Sequence, residues 1–292
     1  MNFLQTHYHK YMQSLDPIFS LLKPATPMGI LDIGASYVAE DPPYKNLLLS
    51  GMARLIGFEP NEKSCEELRT RYGAPHKFFP YFIGDGTLAT FHETNWVATG
   101  SLFPPNTKLL EKFNMLHEMT TPVAQHAVQT KRLDDIPELG DVDFMKLDVQ
   151  GSELSVLQHA RRVLQDVTVL QVEVEFIRLY ENQPLFADVD MYLRDQGFVF
   201  HTFTGFGSRC FKPLVINGDP AAGINQYLWS DAVYVRDWMN LDSIPTDKLV
   251  KFAMICAEII KSPDLCMHLL SHLDARTGST HFPNYLKKLQ GK

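Results

Sequence analysis

No excess of positive charge marks this chain: 27 lysines and arginines stand against 34 aspartates and glutamates, a formal net charge of −7 over 292 residues. A surface that neutralises nucleic-acid phosphates is usually basic, so a nucleic-acid partner is not expected. Cysteine is scarce. Cys65, Cys210, Cys256 and Cys266 are scattered and form no CxxC pair, which argues against a zinc site and against a disulfide framework. The expectation is free thiols in a reducing compartment. No apolar run approaches the roughly 20 residues of a membrane span. Tyr8, His9, Lys10 and Asp16 interrupt the stretch where a signal peptide would lie. A soluble, cytoplasmic protein without a membrane partner is the resulting expectation.

What the chain does have is a set of short apolar runs that end in acids. Hydrophobic residues make up 45% of the sequence, enough for a sizeable core. The run from Gly29 through Leu31, Asp32 and Ile33 stops at Gly34, Ala35 and Ser36. So short a run, stopped by glycine, reads as a buried parallel strand entering a tight turn. A second run, Leu55-Ile56-Gly57-Phe58-Glu59-Pro60, also closes on an acid. Glycine at the first strand end lets a ligand approach the backbone, and a carboxylate at the second can hold two neighbouring ribose hydroxyls. Together they describe a nucleoside pocket at the carboxyl edge of an open α/β sheet. The GxGxxG fingerprint is absent after the first strand, which counts against a nicotinamide-dependent oxidoreductase.

The alternation continues along the chain. Residues 1–23 carry apolar side chains at helical spacing until Pro24. Pro42 or Pro43 opens a helix to about Ser50, and Asn61 caps another that Gly73 stops. His76–Phe82 is a third strand, weakened by Pro80. Leu88–His92 is a short return strand. Residues 93–126 lack periodicity apart from a helix near Lys108–Leu116, and so long an excursion reads as a substrate loop or lid. Val142–Val149 is strand four, followed by a helix capped by Ser152. Val167–Phe176 is strand five, Leu185–Gln196 a helix, and Phe198–Phe203 and Ala232–Arg236 the last strands, joined by a loop around 205–226. The whole predicts a mostly parallel sheet with helices on both faces. Two amphipathic helices follow Asp237. The expected organisation is an N-terminal helical segment at 1–28, an α/β domain at 29–236 and a C-terminal helical appendage at 237–292. The terminal helices are candidates for a homo-oligomer contact.

Ile30–Gly34, Gly57-Phe58-Glu59-Pro60 and Met145-Lys146-Leu147-Asp148-Val149-Gln150-Gly151-Ser152-Glu153 together resemble the FkbM-type family of S-adenosylmethionine-dependent methyltransferases. That family carries an acid-aliphatic-glycine turn, a G-F-E-P element and a K-I-D-V-E-G-x-E element in this order. The resemblance spans about Gly29 to Arg236. It implies a class I methyltransferase (Rossmann-like) sheet, S-adenosyl-L-methionine as cofactor, and O-methylation of a hydroxyl on a sugar or other small metabolite. By family match, Asp32, Gly34 and Ala35 border the methionine part of the cofactor. Glu59, followed by Pro60, binds the ribose diol. The Gly84-Asp85-Gly86 turn lies where the adenine is often held, with Asp85 facing its amino group. Two positions depart from the pattern: Ala35 is followed by Ser36-Tyr37-Val38, and Gln150 stands where the family has Glu.

Asp148, at the end of strand four, is the first candidate to orient or deprotonate the acceptor hydroxyl; the alternative is a cap for the next helix. Phe144, Lys146 and Asp148 share one strand face, and a buried Lys146 calls for an acid partner. Glu153 sits in a first helical turn, where the helix dipole favours an acid. Glu173 and Glu175 are two acids on one face of a central strand, which is costly unless they are paired or at a pocket rim. Glu173 joins Asp148 as a catalytic candidate. A magnesium ion held by either glutamate with Asp148 is a minor alternative and no metal is expected. His201 is a further candidate base. His92, Trp96 and Arg209 are candidates to line the acceptor pocket. A non-catalytic assembly module that keeps the fold is the rival reading.

Overall fold

The computed structural model describes residues 16–35 and 41–291. The predicted N-terminal helix falls largely outside the described residues, as do Ser36–Glu40. In chain order the elements are β1 (Met28–Ile33), α1 (Lys45–Leu49), β2 (Ala53–Phe58), α2 (Glu62–Tyr72), β3 (Lys77–Phe79), β4 (Phe82–Ile83), β5 (Leu88–Thr94), α3 (Thr107–Leu110), α4 (Leu116–Thr120) and β6 (Pro122–Lys131). There follow β7 (Phe144–Leu147), α5 (Glu153–Gln158), α6 (Arg161–Asp166), β8 (Val169–Glu175), α7 (Phe186–Asp195), β9 (Phe198–Ser208), β10 (Tyr227–Arg236), α8 (Thr246–Glu258), α9 (Pro263–Thr277) and α10 (His281–Leu289).

Seven strands form one sheet in the order β3-β2-β1-β7-β8-β10-β9. The pairings from β3 to β8 are parallel, and β10 runs antiparallel to both β8 and β9. The order reverses direction between β1 and β7, the crevice where open α/β sheets bind ligands beyond their carboxyl ends. β4, β6 and β5 make a separate small sheet.

Both faces of the large sheet are buried, as its continuous apolar strands require. Alternate residues of β1 divide between them. Met28 and Ile30 join Phe144, Val169 and Val233 on one face, under α2, α8 and α9. Leu31 and Ile33 join Met145, Leu147 and Val172 on the other, under α5, α6 and α7. Helix α8 is buried from Lys251 through Glu258, so the C-terminal helices are a covering layer of the sheet. A buried charge cluster fastens them: Asp143 Oδ1 lies 2.7 Å from Lys248 Nζ and its Oδ2 3.4 Å from Lys251 Nζ. The same carboxylate accepts the Gly29 N–H at 2.8 Å, at the start of β1.

Several local expectations shift. Strand three divides at Pro80, where proline removes a ladder donor. The predicted helix over 108–116 is two short helices, α3 and α4, separated at Met115, which takes a left-handed φ of 65°. The excursion from 93 to 126 is less irregular than expected, because β5 runs to Thr94 and β6 begins at Pro122. β6 is largely exposed and polar, so it carries no clear apolar alternation. The helix after Ser152 breaks at His159 into α5 and α6, and Ser152 makes no side-chain cap. β9 extends to Ser208, and a third C-terminal helix, α10, joins the two expected.

Candidate active site

The apolar rows of the α8-covered face end, at the carboxyl edge, in a polar row. Asp32 of β1 pairs in register with Lys146 of β7, and Lys146 with Gln171 of β8. One step further out Glu173 of β8 lies opposite Asp231 of β10. On the β2 side the position opposite Asp32 is Gly57. Strand alternation thus gathers on one face acids that are far apart in sequence.

The end of β1 is clamped between its neighbours. Gly34 N and Ala35 N donate to Phe58 O at 3.1 and 3.0 Å, and Asp148 N donates to Ile33 O at 3.0 Å. Gly34 has a φ of +84°, and a Cβ there would stand 1.9 Å from the carbonyl oxygen of Asp148. Only glycine meets both conditions. Glu59, which follows β2, is buried; its Oε1 accepts the Asn61 N–H at 2.8 Å. Burial pushes its carboxyl up from the ordinary range, with the Asn61 hydrogen bond opposing. Its Oε2 takes no part in that bond. Pro60 follows half-buried, and Asn61 N-caps α2.

Around Lys146 the acids divide by the direction in which their surroundings shift them. The Lys146 ammonium lies 3.9 Å from Asp32 Oδ1 and 3.5 Å from Asp148 Oδ2. Asp32 Oδ2 accepts the Tyr44 hydroxyl, while Oδ1 is buried without a hydrogen-bond partner. Burial raises Asp32, with Lys146 and Tyr44 opposing. Burial works to raise Asp148 too, but Lys146 and a hydrogen bond from Gln150 outweigh it and hold it below the usual range. Glu173 is pushed well up by burial and then by the Asp148 charge, and Glu175 by burial and Glu153. Burial also raises Asp231, with Lys146 opposing. Glu153 Oε1 and Oε2 accept the Gly151 N–H and Oε1 that of Val149 at 2.9 Å, and burial still lifts its pKa to about 7. Asp148 is therefore held toward its ionised form beside Lys146, and Glu173 next to it is pushed toward its neutral form. Among the described residues no group of three His, Cys, Asp or Glu is arranged to hold a metal ion.

The excursion between β5 and β6 closes over this edge. Ser101 Oγ donates to Gln150 O at 2.6 Å, and the Tyr180 hydroxyl donates to Thr99 O at 2.9 Å. Asn106 N donates to Leu179 O, and Glu181 N to Pro104 O. Further on, Leu110, Phe113 and Leu116 pack with Leu228 in a small third core, and Asn114 Nδ2 donates to Leu214 O at 2.6 Å. The excursion at 93–126, expected as a substrate loop or lid, and the loop around 205–226 thus pack against one another.

The other expected residues are distributed more widely. Asp85 Oδ1 accepts from Thr87 N and Oγ1 at 2.8 and 2.7 Å, and these bonds hold its carboxyl below the usual range. Gly86, with a φ of +86°, completes that turn, its N–H donating to Thr130 Oγ1. His201 is not brought to the acid row; its Nε2 lies 3.0 Å from Ser262 Oγ, just ahead of α9. His92 exchanges backbone hydrogen bonds with Ser101. Trp96 is 44% exposed. The Arg209 guanidinium stands 5.3 Å over the ring of Trp229, which pairs with Glu175. Sequence reasoning missed Tyr44, Ser101, Gln150, Tyr180 and Asp231 as members of the site. Two of them carried a signal: Gln150 by its departure from the family pattern, and Asp231 as an acid within a largely apolar strand.

The strand order, the single antiparallel strand next to the edge and the acid-ended crevice are those of a class I S-adenosylmethionine-dependent methyltransferase. The methyltransferase FkbM domain model matches residues 32–200, more than half of the chain, and the chain belongs to that family. It is 30% identical over 188 residues to the 2-O-methyltransferase NoeI of Sinorhizobium fredii (strain NBRC 101917 / NGR234), covering 60% of this chain and 74% of that protein. Similar solved structures include magnesium protoporphyrin IX methyltransferase from Synechocystis PCC 6803 with bound SAM, at 15% identity and a TM-score of 0.38, covering 81% of this chain and 85% of that one. Another is the N-terminal domain of EvdMO1 with SAH bound, at 9% identity and a TM-score of 0.34, covering 81% of each chain.

Proposed function

We propose that this methyltransferase transfers the methyl group of S-adenosyl-L-methionine to a hydroxyl of a sugar or other small metabolite. The observation that carries the reading is Asp148 at the carboxyl edge, 3.5 Å from the Lys146 ammonium, adjoining the Gly34 turn and next to the closing 99–106 segment. Membership of the FkbM family and the likeness to a 2-O-methyltransferase support it.

The donor set fits the cofactor. Glu59 keeps Oε2 free of its Asn61 bond and accepts the ribose hydroxyls there. Asp32 Oδ1, which accepts no hydrogen bond and lies 3.9 Å from Lys146 Nζ, and the side-chain-free Gly34 would border the methionine part. The bound cofactor supplies an electrophilic methyl on a sulfonium. The protein's part is to align the acceptor oxygen with it and to exclude water, which accounts for about 7–11 kcal/mol at best. Asp148 takes the hydroxyl proton, and Lys146 balances its charge before the transfer. Glu173, pushed toward its protonated form, is placed to donate a hydrogen bond to the acceptor.

The test is calorimetric titration with S-adenosylhomocysteine. Wild-type protein binds it, and Glu59→Ala weakens binding about 100-fold, the equivalent of roughly 3 kcal/mol for two hydroxyl bonds to a buried carboxylate. No binding by the wild-type protein rejects the reading. Radiolabelled methyl transfer to a panel of free sugars then identifies the acceptor class.

A further inference from the structure

Gln150 occupies a backbone conformation that its side chain does not favour, with a φ of +57°, and Gly151 follows at +108°. A residue that only closed the turn would be glycine or asparagine, which reach the left-handed region at less cost. Four hydrogen bonds hold Gln150 there. Its carbonyl accepts the Ser101 hydroxyl at 2.6 Å. Its Oε1 lies 3.0 Å from the Tyr180 hydroxyl, whose one hydrogen it shares with Thr99 O. Its Nε2 donates to Asp148 Oδ1 at 2.9 Å and to Glu173 Oε2 at 2.6 Å. The carboxamide thus places one hydrogen on each acid and its oxygen against the tyrosine. The tyrosine in turn is anchored by Thr99 of the closing segment.

We propose that Gln150 is a positioning residue: its carboxamide spans Asp148 and Glu173, holds them as a pair that retains one proton, and leaves Asp148 as the charged member facing Lys146. This rests on the reading that Asp148 receives the acceptor's proton. Two carboxyl groups brought to one amide nitrogen in a half-buried site each disfavour the other's ionisation. The groups facing the pair are Lys146 and Asp148's neighbour Asp32, Glu153 of α5, Glu175 of β8, Asp231 of β10 and the Tyr180 hydroxyl. Acids dominate that set, so the shared proton has reason to stay. Glutamate at this position, as the family pattern has it, would offer oxygen where the amide now offers hydrogen. It would bring a third carboxyl to the pair and demand a further proton.

The experiment is a carboxyl carbon-13 NMR titration from pH 4 to 9 of full-length protein labelled at Asp and Glu, with S-adenosylhomocysteine present. Assignments come from Asp148→Asn and Glu173→Gln. In the wild-type protein the two carboxyls titrate far apart, Asp148 low and Glu173 high. Gln150→Leu, similar in size and without donors, raises the Asp148 titration by about one unit, a tenfold change in proton affinity. Gln150→Glu binds one more proton at pH 7 than the wild type. Should Gln150→Leu fail to fold, Tyr180→Phe frees the carboxamide oxygen and moves the Asp148 titration in the same direction by a smaller step. Titrations unchanged in every folded variant overturn the proposal and leave Gln150 a turn residue. A wild-type protein that shows the paired titration yet binds no S-adenosylhomocysteine would overturn the methyltransferase reading and leave the pairing intact.

Discussion

Replacing Asp143 tests how the C-terminal helices are held to the sheet. Its carboxylate is fully buried and meets Lys248 at 2.7 Å, Lys251 at 3.4 Å and the Gly29 N–H at 2.8 Å. Lys251 is itself only 5% exposed, and without Asp143 it retains Thr26 Oγ1 at 2.9 Å and Asp247 at 3.4 Å. Asp143→Ala therefore leaves a buried ammonium with one half-exposed acid and a buried backbone donor with none. Breaking a buried pair costs about 3–5 kcal/mol, and the orphaned Gly29 N–H falls within that range because the losses share one site. For a chain of this size that corresponds to roughly 6–10 °C in melting temperature. Lys251→Met removes the ammonium together with its desolvation cost and leaves Asp143 with Lys248 and Gly29, so its loss is smaller, about 1 kcal/mol. Circular-dichroism melts of both variants are the measurement, together with S-adenosylhomocysteine affinity at low temperature. Asp143 lies roughly 16 Å down the strand from Asp148, at about 3.3 Å per residue, so affinity stays near wild type while stability falls. A melting point for Asp143→Ala within 2 °C of wild type, or no lower than that of Lys251→Met, would refute the claim that this cluster clamps the layer.

Three further outcomes are expected. Burial lowers His76 to about 4 while its Nδ1 accepts the Leu55 N–H at 3.1 Å. The unfolded chain then binds more protons between pH 4 and 6.5, so stability present above pH 6.5 is lost as pH falls. His76→Asn should flatten that decline by about 2 kcal/mol, a figure reduced for the partial exposure of the ring, read from urea denaturation at a series of pH values. Gly34→Ala forces a Cβ against the Asp148 carbonyl at a φ of +84°; a loss of roughly 2–5 kcal/mol is expected, with weakened S-adenosylhomocysteine binding, and a variant of unchanged melting point would contradict the clamp described at the end of β1. All four cysteines are buried, with Cys256 pushed well up and Cys266 up to about 12 by burial. Native protein at pH 8 should react with Ellman's reagent at less than about one thiol in the time that denatured protein reacts at all four.

The sheet was legible because its strands announce themselves twice over. β1, β2, β7 and β8 are apolar on both faces and stop at an acid or glycine, and the spaces between them hold helices with ordinary caps at Asn61 and Gly73. What stayed illegible lacked periodicity for a physical reason. β6 is an exposed hairpin strand that buries little, so selection for a core leaves no alternating mark on Pro122–Lys131. The break between α3 and α4 comes from Met115 in a left-handed turn, and that between α5 and α6 from a turn at His159–Ala160. Neither has a glycine or proline to mark it. In the site, Asp32, Glu59, Asp148 and Glu173 could be named from strand ends. Tyr44, Ser101 and Tyr180 could not, because Tyr44 reaches Asp32, and Ser101 and Tyr180 reach Gln150, from a helix cap or loop whose path only tertiary packing decides.

The polar row itself carries an argument about function that does not depend on any relative. Below it, the same face of the same strands is filled by Met28, Ile30, Phe144, Val169 and Val233. Taking a carboxylate out of water costs several kcal/mol even after relaxation, and well-packed apolar residues of similar volume are often the more stable choice. The row that ends β1, β7, β8 and β10 nevertheless holds Asp32, Lys146, Glu173 and Asp231, with burial raising three of the acids. Stability alone would have continued the apolar pattern one step further, as it did on the opposite face with Leu31, Ile33, Leu147 and Val172. The row departs from that pattern only at the crevice where the strand order reverses and where Ser101 and Tyr180 bring the closing segment down. A cost localised in that way is what a site for proton transfer requires, since only groups removed from water can be held at charge states that bulk solvent would not allow.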